Sequence, residues 1–135
     1  SIPEFVAYGS GFGAQMPQAK SGDIYRKSLM AVTISLVSNL GRYTSDRLLR
    51  SMACGCPTLV KRFEDMQGFG LIEDVNCIGW DTPAELVEKV MMWVQRLDEL
   101  LQIGKAGTEL MREHHTWDVR MQELQAIVNA ARKQS

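Results

Sequence analysis

The stretch Ser45-Asp46-Arg47-Leu48-Leu49-Arg50-Ser51-Met52-Ala53-Cys54-Gly55-Cys56-Pro57-Thr58-Leu59-Val60 decides the fold. Ser45 stands where a helix cap accepts from the unpaired N–H groups of the first turn. Asp46 favours the positive helix end, and Gly55 supplies the stop. Pro57 then opens a short strand, at the position where a strand tolerates proline best. A helix followed at once by a strand is one half of a βαβ unit.

Upstream, Val32-Thr33-Ile34-Ser35-Leu36-Val37 is short and rich in β-branched residues, so it reads as a buried strand ending at Ser38-Asn39-Leu40-Gly41. Asp23 is placed to cap a short helix through Met30. Phe5-Val6-Ala7-Tyr8 is a β-prone run that breaks at Gly9-Ser10-Gly11-Phe12-Gly13. Downstream, Phe63 to Gly70 reads as loop and Val75 to Trp80 as a strand. Thr82-Pro83-Ala84-Glu85 is a helix start with a Thr cap, Pro at the first position and Glu three residues after the cap. Leu86, Val90, Val94, Leu97 and Leu101 form one apolar stripe, expected in the core. Gly104–Gly107 is expected to break that helix before another carrying Leu110 and Met111. Thr116 caps a last helix with the stripe Trp117, Met121, Leu124, Val128 and Ala131.

Strands alternating with helices imply parallel βαβ units. The expected fold is α/β: a small, doubly wound, Rossmann-like parallel sheet of about four strands with a helical C-terminal tail, in a single domain over residues 1–135. A net charge of −1 gives no reason to expect nucleic acid or an anionic membrane as partner. No apolar run approaches the roughly 20 residues that span a bilayer. The opening Ser1-Ile2-Pro3 lacks a Met, so a trimmed chain is expected. Cys54, Cys56 and Cys77 are odd in number, which fits a reducing cytoplasm better than a disulfide framework. With Cys77, His114 and His115 they lack the paired spacing of a zinc site, so no metal is expected and buried free thiols are the better reading.

Ligands of such sheets gather where strand ends lead into helix N-termini, which places the loops after Tyr8, Val37 and Val60 at the site. The helix start at Thr44–Arg47 offers unpaired N–H groups and partial positive charge to a phosphate. Between positions 42 and 62 lie five basic residues (Arg42, Arg47, Arg50, Lys61, Arg62) against Asp46 alone; from 64 to 99 nine acidic residues face Lys89 and Arg96. A basic cluster at a strand–helix junction suits a diphosphate, and equally a solvated charged face. Glu64, Asp65, Glu73 and Asp74 lack an identified partner and read as solvated. His114 and His115 sit at a helix junction, where capping or packing is expected. Trp117 and Arg120, about one turn apart, are expected to fix the tail to the fold. An exposed edge at Met91, Met92 and Trp93 would suggest an interdomain contact.

Tyr43 through Val60 resembles the signature of GT-B glycosyltransferases, most closely the CgeB-like branch of the group 1 glycosyl transferases, with its pattern S-x-R-x-F-E-A-x-A-C-G-x-P. Glu113-His114-His115-Thr116-Trp117-Asp118-Val119-Arg120 is similar to the H-T-W-x-x-R of that branch, and both motifs stand in order across residues 23–130. The resemblance implies a donor-binding lobe of a glycosyltransferase. The nucleotide-diphosphate sugar would lie against Thr44, Ser45, Asp46 and Arg47, with Arg42 and Arg50 adding charge. Base and ribose would lie near Gly9, Gly11, Ser38 and Asn39. It implies no metal or resident cofactor, and an N-terminal acceptor lobe outside this chain that would complete the enzyme. The chain departs from the pattern at Arg50, where the family usually has a Glu that bonds the ribose hydroxyls, and a cation cannot accept those bonds. Either the donor is held differently, with extra phosphate contacts, or the chain is a non-catalytic scaffold or interaction domain that keeps the fold without the donor.

Overall fold

A computed structural model of the chain describes residues 4, 6–7, 17–34 and 44–134. A 3-10 turn over Gln18–Lys20 feeds helix α1 (Ser21–Lys27), followed by strand β1 (Ala31–Thr33). Helix α2 (Asp46–Ala53) leads into β2 (Thr58–Lys61), and β3 (Ile78–Trp80) precedes helices α3 (Pro83–Trp93), α4 (Leu97–His114) and α5 (Trp117–Gln134). The three strands form one parallel sheet in the order β1-β2-β3, with Val32 opposite Leu59 and Leu59 opposite Ile78. This is the expected α/β, Rossmann-like architecture. The expected first strand at Phe5–Tyr8 falls largely outside the described residues, as do Ser35–Val37 of the second. The ladder begins one residue early because the Ala31 N–H donates to the Pro57 carbonyl at 2.9 Å.

Alternation along the strands divides the core in two. On one face Val60 and Cys77 pack with Leu48 and Met52 of α2, Leu71 and Met111. On the other, Leu59, Ile78 and Trp80 pack with Trp93 of α3 and with Leu100 and Ile103 of α4. Beneath the α2 turn, Thr58 Oγ1 donates to the Cys56 carbonyl at 2.8 Å and meets Ser51 Oγ at 2.9 Å, so two buried hydroxyls satisfy each other.

Four local expectations are corrected. Asp23 does not cap α1: the 3-10 turn starts the helix earlier, and Asp23 instead pairs with Arg26 at 2.7 Å inside it. The Phe63–Gly70 loop contains a 3-10 turn over Met66–Phe69, begun by Asp65 in the left-handed region (φ 64), whose carboxylate accepts from the Gly68 N–H at 3.2 Å. The stripe from Leu86 to Leu101 is not one helix. The chain turns at Val94–Arg96, after buried Trp93, so that Leu100 and Ile103 reach the core while Leu97 and Leu101 face outward. Helix α4 runs unbroken through Gly104 and Gly107. A Cβ at Gly104 would fall on the Gly55 carbonyl oxygen, and one at Gly107 would lie 3.1 Å from the Asn76 carbonyl oxygen. These glycines bring α4 onto the backbone beneath it.

Thr116 does cap α5, accepting from the Val119 N–H at 3.3 Å. No residue of α5 is buried, and Trp117 is 85% exposed, so Trp117 does not anchor the tail. His115 does. Its Nε2 lies 2.8 Å from the Phe69 carbonyl oxygen, its ring stacks on Phe69, and its Nδ1 meets an Arg120 guanidinium nitrogen at 2.7 Å. Because the α5 stripe touches water, Leu124→Glu is expected to change stability by no more than about 0.5 kcal/mol, against about 3 kcal/mol for Leu100→Ala. Paired urea unfolding curves check this; an equal loss from both would place α5 in the core.

Candidate functional site

A parallel sheet delivers all its strand ends to one edge, and here two different arrangements stand along it. The first is the start of α2. Ser45, extended at φ −80 and ψ 144, accepts at its Oγ from the Arg47 N–H at 3.2 Å, as a cap should. Its carbonyl takes the Leu48 N–H at 3.0 Å. The N–H groups of Ser45 and Asp46 have no acceptor among the described residues. Arg47 is exposed: its Nε donates to Ser45 Oγ at 3.0 Å, and its guanidinium reaches the Ile34 carbonyl at 3.5 Å, just past the end of β1. Thr44 is half-buried beside them. Cap, first-turn N–H groups, arginine and the positive helix end thus converge beyond the end of β1.

Arg50 stands apart from this cluster. It is about one turn further along α2, ion-paired to Asp46 at 3.1 Å, on the flank that faces α1. Gly9, Gly11, Ser38, Asn39 and Arg42 lie outside the described residues.

The second arrangement closes the ends of β2 and β3. The Arg62 guanidinium takes both Glu73 carboxylate oxygens at 2.6 and 2.9 Å, Asp81 at 2.9 Å and Glu85 at 3.0 Å, and also reaches the Gly79 carbonyl. Lys61 pairs with Asp81 at 3.3 Å and lies over the Trp80 ring. These contacts hold Arg62 charged far above the ordinary guanidinium range. The Arg62 hydrogen bond is also the main cause that lowers the carboxyls of Glu73, Asp81 and Glu85 below their usual range. With Arg50 on Asp46, three of the five basic residues in the sequence between 42 and 62 are therefore already held by carboxylates of the chain. Glu73 is likewise not a solvated acid.

The sequence reading missed this cluster because its members are scattered over 24 positions. One local sign was available: Gly79, where a Cβ would fall on the Glu73 carboxylate. Among the described residues no group of three or more His, Cys, Asp or Glu could hold a metal. The three cysteines are free thiols, and burial pushes those of Cys56 and Cys77 up to about 12. No helix among the described residues is long and apolar enough to cross a membrane.

The family model described as glycosyl transferase-like matches residues 3–126, nearly the whole chain. The chain belongs to the glycosyl transferase-like family. No curated protein and no solved structure is a match to it. In this glycosyl transferase-like chain the matched span takes in the α2 start, the Arg62 cluster and the His115 junction, and ends within α5. The family thus covers both arrangements at the sheet edge, and among the described residues the first-turn N–H groups of Ser45 and Asp46 at the α2 start have no acceptor.

Proposed function

We propose that this chain is the donor-binding lobe of a GT-B glycosyltransferase of the CgeB-like branch, and that the start of α2 holds the diphosphate of a nucleotide sugar. The supporting observation is the convergence of Ser45, the Asp46 N–H and Arg47 at the end of β1, inside a glycosyl transferase-like domain. As the bond from the sugar to the diphosphate breaks, negative charge grows on the leaving phosphate. Fixed N–H dipoles and the Arg47 guanidinium stabilise that charge without reorganising, and this step needs no metal or resident cofactor. The acceptor and any general base come from a second lobe across the cleft, in the cytoplasm. The half-exposed methionines Met91 and Met92, with Leu97 and Leu101, offer that lobe an apolar edge.

A charge-assisted hydrogen bond contributes about 1.5–3 kcal/mol, or roughly 10- to 100-fold in affinity. Calorimetric titration with UDP and GDP is expected to give saturable binding that Arg47→Gln weakens at least tenfold. Binding unchanged in the variant would contradict the assignment.

A further inference from the structure

Helix α5 adds nothing to the core: none of its residues is buried, and every residue from Met121 to Gln134 is exposed. It is joined to the body at its first turn, by the Thr116 cap, the His115–Arg120 contact and half-buried Val119. Two residues turn a helix by about 200°, so the side opposite Val119 carries Trp117 and Met121. The stripe Trp117, Met121, Leu124, Val128 and Ala131 therefore points away from the body. It repeats at four and three residues in alternation, the narrow seam of a coiled coil rather than the broad face of a core helix. A helix of 18 residues draws most of its stability from packing such a face. Two asymmetries along the seam say what fits it. Its start is bulky, with Trp117 and Met121, and its end is small, with Val128 and Ala131. Its first turn is acidic at Asp118, and its last turn is basic at Arg132 and Lys133.

We propose that α5 pairs with α5 of a second copy of this chain, antiparallel and about a two-fold axis. Met121 then packs on Ala131 of the second copy and Leu124 on Val128, and each contact occurs twice, as a self-complementary surface requires. Ile127, 66% exposed, meets its own counterpart near the axis. Asp118 stands beside Arg132 of the second copy at both ends. A parallel pair would instead set bulk against bulk at one end and cation against cation at the other. Exposed ion pairs contribute little energy and act here mainly on orientation. The seam is short, so the interface stays below about 1,200 Å² in total and the pairing is weak. Donor binding at the α2 start does not enter it.

Sedimentation velocity of the full chain tests this between about 10 µM and about 0.5 mM, the range in which a weak pair forms. The weight-average mass is expected to climb from monomer towards dimer. Leu124→Glu should hold the chain monomeric at every concentration with its circular dichroism unchanged. Asp118→Lys and Arg132→Glu should each weaken dimerisation about fivefold, because each sets like charges together at both ends. The two changes combined restore opposite charges across an antiparallel pair and should recover dimerisation. An unaltered chain that stays monomeric, whether or not it binds phosphatidylserine vesicles, would overturn the proposal. So would a dimer that Leu124→Glu leaves intact, or a double variant no better than the single ones.

Discussion

Replacing Gly104 by Ala is expected to destabilise the protein by about 1–2 kcal/mol, although the same change in an exposed helix interior stabilises. Alanine gains about 1 kcal/mol of helix propensity over glycine. Here the new methyl would fall on the Gly55 carbonyl oxygen and within 3.1–3.2 Å of the Pro57 ring. Neither can move aside. Gly55 holds the left-handed turn (φ +78) that ends α2, and Pro57 opens β2 with its carbonyl bonded to Ala31. Helix α4 must therefore lift, which strains the Thr108 Oγ1 bond to the Met52 carbonyl at 3.0 Å and the packing of Gly107 on Met52. Overpacking of this kind costs about 1–3 kcal/mol, occasionally more, and exceeds the propensity gain. Urea midpoints for Gly104→Ala beside Lys105→Ala, its exposed neighbour, check this; a stabilised Gly104→Ala would mean that α4 does not rest on that turn.

The second large effect concerns Arg62. Its replacement by Leu leaves Glu73, Asp81 and Glu85 facing one another without their cation, and a loss of about 2 kcal/mol at neutral pH is expected, from bonds to charged groups that are only partly shielded from water. The pH dependence carries the sharper signature. In the native protein the three carboxyls titrate below their ordinary values of 4.5, 3.8 and 4.5. A lowered folded-state value means the contribution is complete above the ordinary value and is lost as pH falls through the lowered one. In Arg62→Leu the neighbouring carboxylates repel, so mild acid relieves the variant while it weakens the native protein. The gap between their unfolding curves should thus be widest near neutrality and shrink below about pH 4.5. A gap constant from pH 7 to pH 3 would show that the cluster contributes little.

Local rules carried much of the architecture. Ser45, Gly55, Pro57 and the Thr82-Pro83-Glu85 start each act within a few residues, and each stands where local chemistry puts it. Where one residue type has two uses, the local pattern could not choose between them. Gly104 and Gly107 serve as close-packing positions, though in sequence they look like a helix break, and the real turn at Val94–Arg96 contains neither glycine nor proline. The stripes of Leu97–Leu101 and Trp117–Val128 have the spacing of core faces, yet both are exposed, because spacing shows that a face exists and not what covers it. At the site, the capped start of α2 was legible because cap, helix and strand are contiguous. The Arg62 cluster joins four segments, so it depends on tertiary placement.

Diphosphate binding at the start of α2 is tested most directly by following the backbone amide resonances of the chain during titration with UDP. The largest shifts are expected at Ser45, Asp46, Arg47 and Leu48, with little change at Arg62, Glu73 and Glu85. Shifts centred on the Arg62 cluster, or none at Ser45–Leu48 under saturating UDP, would contradict it.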